Sequence, residues 1–307
     1  MAVRSETVLP KTHPRQAEWH THQWAPDAAP MAKPRRHRLL VRATPSLKIG
    51  GLVVAAIVLA AVVAPWLAPF APDRVAAGAA LQAPSPAHLM GTDALGRDLL
   101  SRVIYGARAA LLLAGIGVGV ASLLGIAPGL AAGYFGGWSD RALSRAVEVW
   151  LAFPGLLLAV ILVARLGPSL ANAALALGIA SAPGFFRLVR AEAMRAKSDA
   201  YVEAACALGA SHHRIVFRHI LPNICPSLIV LATIRAGTMI LAGGGLSFVG
   251  LGAQPPTAEW GALLAQGRDA MGDAPWLALF PGLAIMLAVA GLNLLGDGLR
   301  DWVEVRK

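Results

Sequence analysis

Residues 109–139 read AALLLAGIGVGVASLLGIAPGLAAGYFGGWS, thirty-one consecutive positions without an Asp, Glu, Lys or Arg. A helix rises 1.5 Å per residue, so about 20 apolar residues cross the roughly 30 Å of a bilayer's hydrocarbon. Lipid offers no partner to an unpaired backbone group, so a run of this kind is stable in a membrane as a helix. Four further stretches share the property: Ile49–Pro72, Val149–Phe186 (interrupted only by Arg165), His219–Ala258 (interrupted only by Arg235) and Pro275–Gly296. Of the 307 residues 56% are apolar and 14% charged, and the mean hydropathy is +0.60. Soluble domains carry about 25% charged residues. The charges sit in short blocks between apolar runs, as expected where the bilayer penalises charge at depth.

The run 149–186 is too long for one helix, and Arg165-Leu166-Gly167-Pro168-Ser169 places a charge and a turn near its middle. The run 219–258 reads as one span over Ile224–Leu241 followed by a Gly- and Pro-rich loop. Six spanning helices result. With the N-terminus placed in the cytoplasm, twenty of the 27 Lys and Arg residues fall inside and six outside, with Arg235 left in a span. Positive charge marks cytoplasmic loops, so both termini are expected inside. The net charge of +10 follows this topology and does not form the aromatic-laced face of a nucleic-acid binder.

Residues 1–45 hold six prolines and no apolar core of the signal-peptide type. They read as a disordered basic cytoplasmic tail. Cys206 and Cys225 form no CxxC pair and no zinc cluster, so both read as free thiols. His212, His213 and His219 lie beside basic residues and read as a solvated or headgroup-facing surface rather than a metal site. The glycines of Gly115-Ile116-Gly117-Val118-Gly119 read as packing positions.

The chain lacks G-x-x-x-x-G-K-[ST], HExxH and GxSxG, so no nucleotide-binding or hydrolytic chemistry is expected of it. The six expected spans contain no Asp or Glu. Self-energised carriers and many ion-coupled transporters rely on intramembrane carboxylates, which weighs against a secondary carrier or a channel. Any energy for transport has to come from a partner.

The longest internal loop on the expected cytoplasmic side is 187–222. It contains Tyr201-Val202-Glu203-Ala204-Ala205-Cys206-Ala207-Leu208-Gly209 and, further on, Ile220-Leu221-Pro222-Asn223. It reads as two short helices: Ser198 or Asp199 caps the first, Gly209 ends it in a left-handed conformation, Ser211 caps the second and Pro222 stops it. Glu203, Ala204, Ala205, Gly209, Leu221 and Pro222 resemble the loop that ABC importer permeases dock as a coupling helix into an ATP-binding subunit. Gly91-Thr92-Asp93-Ala94-Leu95-Gly96-Arg97-Asp98 resembles a segment of the dipeptide, oligopeptide and nickel branch. So does Leu246-Ser247-Phe248-Val249-Gly250-Leu251-Gly252-Ala253-Gln254-Pro255-Pro256 with Glu259-Trp260-Gly261. The resemblance covers about residues 45–307 and is to the C-type subunit. One departure stands out: where that family often has an acidic residue before the Leu-Ser-Phe segment, this chain has Ala242-Gly243-Gly244-Gly245, a run expected to loosen the end of its helix.

The resemblance implies an all-α membrane protein with six transmembrane helices and a type I, MetI-like importer core in the cell inner membrane. It implies a tail at 1–45, an N-terminal transmembrane helix and extracytoplasmic loop at 46–107, and a five-helix permease domain at 108–307 with its coupling loop at 187–222. The implied partners are a second permease subunit, ATP-binding subunits and an extracytoplasmic substrate-binding protein. ATP binds to those partner subunits, and this chain has neither a cofactor nor a catalytic residue. Peptides are the implied cargo, with nickel chelates or glutathione-like solutes as alternatives. Arg235 lies near the middle of its span and is a candidate lining residue of the translocation path, with a structural pairing to a carbonyl or to a group of the partner subunit as the competing role. On a helix Asp93 and Arg97, four residues apart, share a face and can pair; a stabilised extracytoplasmic loop is the expected role of Asp93, Arg97 and Asp98, with docking of a substrate-binding protein as the alternative.

Overall fold

The computed structural model describes residues 44–304; apart from Thr44 and Pro45, the expected tail lies outside them. In chain order the described residues form α1 (Pro45–Leu67), α2 (Leu99–Phe135), α3 (Gly137–Leu151), α4 (Gly155–Leu166), α5 (Leu170–Lys197), α6 (Ala200–Ala207), α7 (His212–Ile215), a π-helical turn (Val216–Ile220), α8 (Leu221–Phe248), α9 (Trp260–Asp269) and α10 (Trp276–Glu304). α1, α2, α5, the continuous run His212–Phe248 and α10 are long and apolar enough to cross a membrane. The sixth span is broken, with α3 and α4 meeting at 80°.

Several boundaries differ from the expectation for identifiable reasons. α1 stops at Leu67, before Pro72, because Ala68 precedes Pro69 and adopts the extended conformation (φ −74°, ψ 125°) that proline imposes on its predecessor. α2 starts at Leu99, well before Ala109. Asp98 caps it by accepting from Ser101 N at 2.8 Å, and the arginines inside it find acceptors rather than ending it. Phe153-Pro154-Gly155 breaks the run after residue 149, so Gly137–Leu151 becomes a separate, amphipathic helix with no buried residue. α4 has 12 residues and rises about 18 Å, too short to span alone. The split at Arg165–Ser169 occurs as expected. Gly167 takes φ +92°, Ser169 caps α5 through Asn172 N, and Asn172 Nδ2 donates to the carbonyls of Leu166 and Gly167 at 3.0 and 2.9 Å.

α2 and α5 form the most intimate contact of the fold. Gly117, Ala121, Gly125, Gly129 and Gly133 recur every four residues on α2 and are all buried. A Cβ on Gly129 would stand 2.8 Å from Val189 Cβ and 2.9 Å from the Phe186 carbonyl oxygen; one on Gly133 would stand 2.6 Å from the Arg190 carbonyl. α5 reciprocates with Gly178, whose Cβ would lie 2.7 Å from the Gly117 carbonyl. Membrane helices without a hydrophobic drive toward each other associate through such backbone proximity. Of the glycines at 115, 117 and 119, only Gly117 belongs to this seam; the other two face open space.

Asp140 holds α3 against α5 by pairing with both Nε and Nη2 of Arg190. Gly50, Gly291 and Gly298 bring α1 against α10, where a Cβ on Gly298 would fall 2.5 Å from Leu47 Cα. The described ends of the chain therefore share one end of the bundle, here called the terminal end, with the loop 198–211. Loop 68–98 and α9 cover the opposite end, where Trp260 Nε1 donates to the Val103 carbonyl at 2.8 Å. The glycine run 243–245 does not loosen α8, which continues to Phe248. Gly244 lies against Gly261 of α9, and Leu113 of α2 fills the space beside Gly243.

Gly129→Ala is expected to destabilise the chain by about 1–3 kcal/mol through overpacking of the seam, while Gly119→Ala, on the open face, leaves stability unchanged or raises it slightly. Thermal unfolding of the detergent-solubilised protein separates the two.

Candidate functional site: a coupling surface, a central cavity and a braced loop

At the terminal end α5 runs on to Lys197 and the chain turns into α6. Asp199 stands at the N-cap position of α6 without a side-chain bond to the helix, and Gly209 leaves it at φ +77°. Ser211 caps α7, its Oγ accepting from Arg214 N at 3.4 Å. The expected pair of short helices is present, but Pro222 does not stop the second. A π turn at Val216–Ile220, in which Leu221 N donates to the Val216 carbonyl, carries the helix through the proline into α8. A proline lacks its own N–H and crowds the carbonyl four residues back, and one wider turn absorbs both defects.

This hairpin is rooted and exposed at once. Val202, Ile215 and Ile220 are buried to 1%, 1% and 0% exposure in the core shared with α2, α5 and α8. Glu203, Ala204, Ala207 and Gly209 are exposed, Ala205 is half-buried, and Leu208 projects with 88% of its surface free. The two halves of the motif meet: Asn223 Nδ2 donates to Tyr201 Oη at 3.1 Å, and the rings of Tyr201 and His219 lie 6.4 Å apart. Leu221 and Pro222 therefore stand beside the start of α6 despite the residues between them. Burial, and secondarily Asp199, raises the Tyr201 hydroxyl above its ordinary pKa, so it stays protonated at neutral pH. His212 Nδ1 lies 2.7 Å from the Tyr134 hydroxyl, and no metal-binding cluster of His, Cys, Asp and Glu occurs among the described residues. Cys206 and Cys225 are exposed free thiols.

Halfway along the bundle α3, α4, α5 and α8 line an open cavity of 340 Å³. Arg235 and Arg187 both reach it, together with Ser181, Thr238, Gly184 and Ala242. A Cβ on Gly184 would stand 3.0 Å from Arg235 Nη2, so the glycine leaves room for the guanidinium. Of the structural pairings weighed for Arg235, one with a carbonyl of this chain is not found: its side chain has no hydrogen-bond or ion-pair partner among the described residues.

At the opposite end Gly91, Thr92, Asp93, Gly96, Arg97 and Asp98 come together in one buried loop. Asp93 and Arg97 pair at 2.6 Å, although not on a helix. Asp93 Oδ1 also accepts from the backbone N–H groups of Leu95 and Arg97. Asp98 accepts from His88 Nδ1 at 2.9 Å and Ser101 Oγ at 2.7 Å. Thr92 Oγ1 donates to the Ala79 carbonyl, and Arg97 reaches Gln266 of α9 at 3.4 Å. Gly91 and Gly96 adopt φ +79° and +66°. With Asp93 3% exposed, this loop braces the mouth of the bundle and offers little surface. Gln254, Pro255 and Pro256 are exposed, and Gln254 Nε2 donates to the carbonyls of Gly250 and Gly252. Next to them Glu259 is buried and caps α9 through Gly261 N and Ala262 N. His88, Arg102, Arg187, Leu208 and Glu259 were not singled out as site residues from the sequence. Leu208 carried a signal, since an apolar residue beside a left-handed glycine has no neighbouring turn to cover it.

The family described as "Binding-protein-dependent transport system inner membrane component" matches residues 125–307. The chain belongs to that family. Residues 43–84 match the N-terminal TM domain of oligopeptide transport permease C. The dipeptide transport system permease protein DppC of Alkalihalophilus pseudofirmus is 44% identical, over 83% of this chain and 84% of that protein. The glutathione transport system permease protein GsiD of Pectobacterium atrosepticum is 47% identical, over 73% and 74%. The probable D,D-dipeptide transport system permease protein DdpC of Escherichia coli is 40% identical, over 86% and 89%. A chain of the MetNI methionine ABC transporter shares the fold with a TM-score of 0.54 at 21% identity, covering 68% of this chain and 98% of that one. This chain is thus an ABC importer permease, multi-pass and of the inner membrane, with the MetI-like core expected from its sequence.

Two substitutions separate bracing from surface roles in this permease. Asp93→Asn removes the charge facing buried Arg97 and Arg102 and is expected to cost about 3–5 kcal/mol, visible as lost abundance in membranes. Exposed Glu203→Ala is expected to change stability by less than about 0.5 kcal/mol, leaving abundance intact.

Proposed function

We propose that this permease moves di- or oligopeptides across the cytoplasmic membrane as one of two permease subunits, driven by ATP bound and hydrolysed on separate subunits beneath it. The relatives that transport dipeptides support peptides as cargo, and the glutathione permease at 47% identity supports glutathione as the alternative; nickel chelates complete the panel to be tested. The N- and C-termini face the cytoplasm, in line with the excess of Lys and Arg at the terminal end.

The observation that carries this reading is the α6 hairpin, whose apolar root lies in the helix core while Glu203, Ala204, Leu208 and Gly209 are presented outward. A rigid root transmits displacement of the exposed face to α5 and α8. Closure of the ATP-binding subunits on α6 would then tilt those helices as bodies, the movement required for alternating access. Ala204 and Ala207 leave a low profile for a groove, and Leu208 supplies an apolar anchor. At the other end Gln254, Pro255 and Pro256 are the exposed surface on which a substrate-binding protein docks, held in place by the capped start of α9. α1 is an added helix beside the core, and because α2 begins at Leu99 the expected division between residues 107 and 108 falls inside α2.

The test is purification of the tagged permease with its associated proteins, followed by ATP-driven uptake in proteoliposomes supplied with the binding protein. Wild type is expected to bring down an ATP-binding subunit and a second permease and to accumulate labelled peptide. Ala204→Trp and Leu208→Asp are expected to lose the ATP-binding subunit while membrane abundance is kept. Absence of any ATP-binding subunit from the wild-type preparation would overturn the coupling role, and accumulation of nickel chelate in place of peptide would overturn the cargo.

A further inference from the structure

The fold supplies an acceptor to each arginine buried near the start of α2. Arg102 Nη1 donates to the Pro72 carbonyl at 2.9 Å, and Arg108 donates to the carbonyls of Ala61 and Val62 at 2.5 and 3.1 Å. Arg190 on α5 has Asp140. Arg187 and Arg235 break this pattern. Both reach the 340 Å³ cavity, no carboxylate lines it, and neither side chain has a hydrogen-bond or ion-pair partner among the described residues. Ala242, on the same wall and adjoining the glycine run of α8, adds no charge. Arg235 lies 13 residues from Phe248, about 20 Å along α8, half-buried at a depth where an unpaired guanidinium is costly, and Arg187 beside it is exposed. Two hydroxyl residues, Ser181 and Thr238, complete a polar wall, and Gly184 leaves the guanidinium sterically free.

We infer that this cavity is a carboxylate-selecting compartment of the translocation path, in which Arg235 and Arg187 receive the anionic end of the cargo. The inference rests on the transport reading above and adds which end of the solute this subunit recognises. A guanidinium presents paired donors matched to a carboxylate's two oxygens, and desolvation in the cavity strengthens the contact. Cationic solutes find no carboxylate on this wall and meet two like charges, so the cargo class is a solute bearing a free carboxylate.

The measurement is equilibrium binding to the assembled, detergent-purified transporter without its binding protein, comparing radiolabelled dialanine with dialanine amide. Wild type is expected to favour the free acid by roughly tenfold or more, the worth of a hydrogen bond to a charged group. Arg235→Gln combined with Arg187→Gln is expected to bring that preference near unity. Arg235→Lys keeps the charge but loses the paired donors, retains part of the preference and guards against misfolding. A wild type with no preference, no detectable binding while ATP-driven uptake of dialanine is intact, or an undiminished preference in the double variant overturns the inference. Uptake of dialanine by the wild-type transporter, run in parallel, reports on the transport reading separately: its absence fails that reading, whereas intact uptake without acid-over-amide preference fails only this one.

Discussion

The α2–α5 seam is the contact on which the other parts of the molecule depend. Lipid does not push helices together, so two membrane helices stay in register only if their backbones approach closely. The row from Gly117 to Gly133 permits that approach along most of α2, and Gly178 answers from α5. Everything with a functional reading hangs from these two helices. α5 continues into the root of the coupling hairpin and forms a wall of the cavity. α2 carries the braced loop at its start and, through Leu113 and Val103, holds α8 and α9.

Charge is treated in three ways along this scaffold. At the mouth, Asp93 and Asp98 gather arginine, histidine and backbone donors into a buried network. Near the start of α2, arginines are matched to carbonyls of the neighbouring segment. In the cavity, cations are left unmatched. Arg102 is hydrogen-bonded through Nη1 alone, its Nε and Nη2 lacking hydrogen-bond partners, whereas the Arg235 and Arg187 side chains have no partner at all among the described residues.

Much of this was legible in the sequence because it depends on local chemistry. Uncharged length gave the spans, the Arg165–Ser169 break divided α4 from α5, and Gly209 and Ser211 marked the hairpin. The departures arose where a distant group changed the local balance. The charges of Arg102 and Arg108 argue for a later start to α2, but carbonyls supplied by loop 68–98 and α1 let the helix begin at Leu99. Pro222 is a helix-stopping residue, but the π turn before it accommodates the ring. Gly243–Gly245 lower the helix propensity of α8, but close packing of Gly243 and Gly244 against α2 and α9 preserves it to Phe248. Asp93 and Arg97 paired as their spacing suggested, in a loop rather than on a helix. Of the candidate site residues, the coupling positions were readable as an exposed hairpin, whereas the companion of Arg235 in the cavity, Arg187, lies on another helix and becomes visible only when α5 packs beside α8.

Pro65 has no N–H, so in α1 the carbonyl of Ala61 is left without its usual intrahelical donor, and Arg108 of α2 donates to that oxygen. Each defect is unfavourable in hydrocarbon by itself, a bare carbonyl on one helix and a bare guanidinium on the other. During biogenesis neither helix is therefore suited to rest alone in lipid after leaving the insertion machinery. In the folded chain each flaw supplies the partner that the other lacks, so α1 and α2 are suited to lipid as a pair.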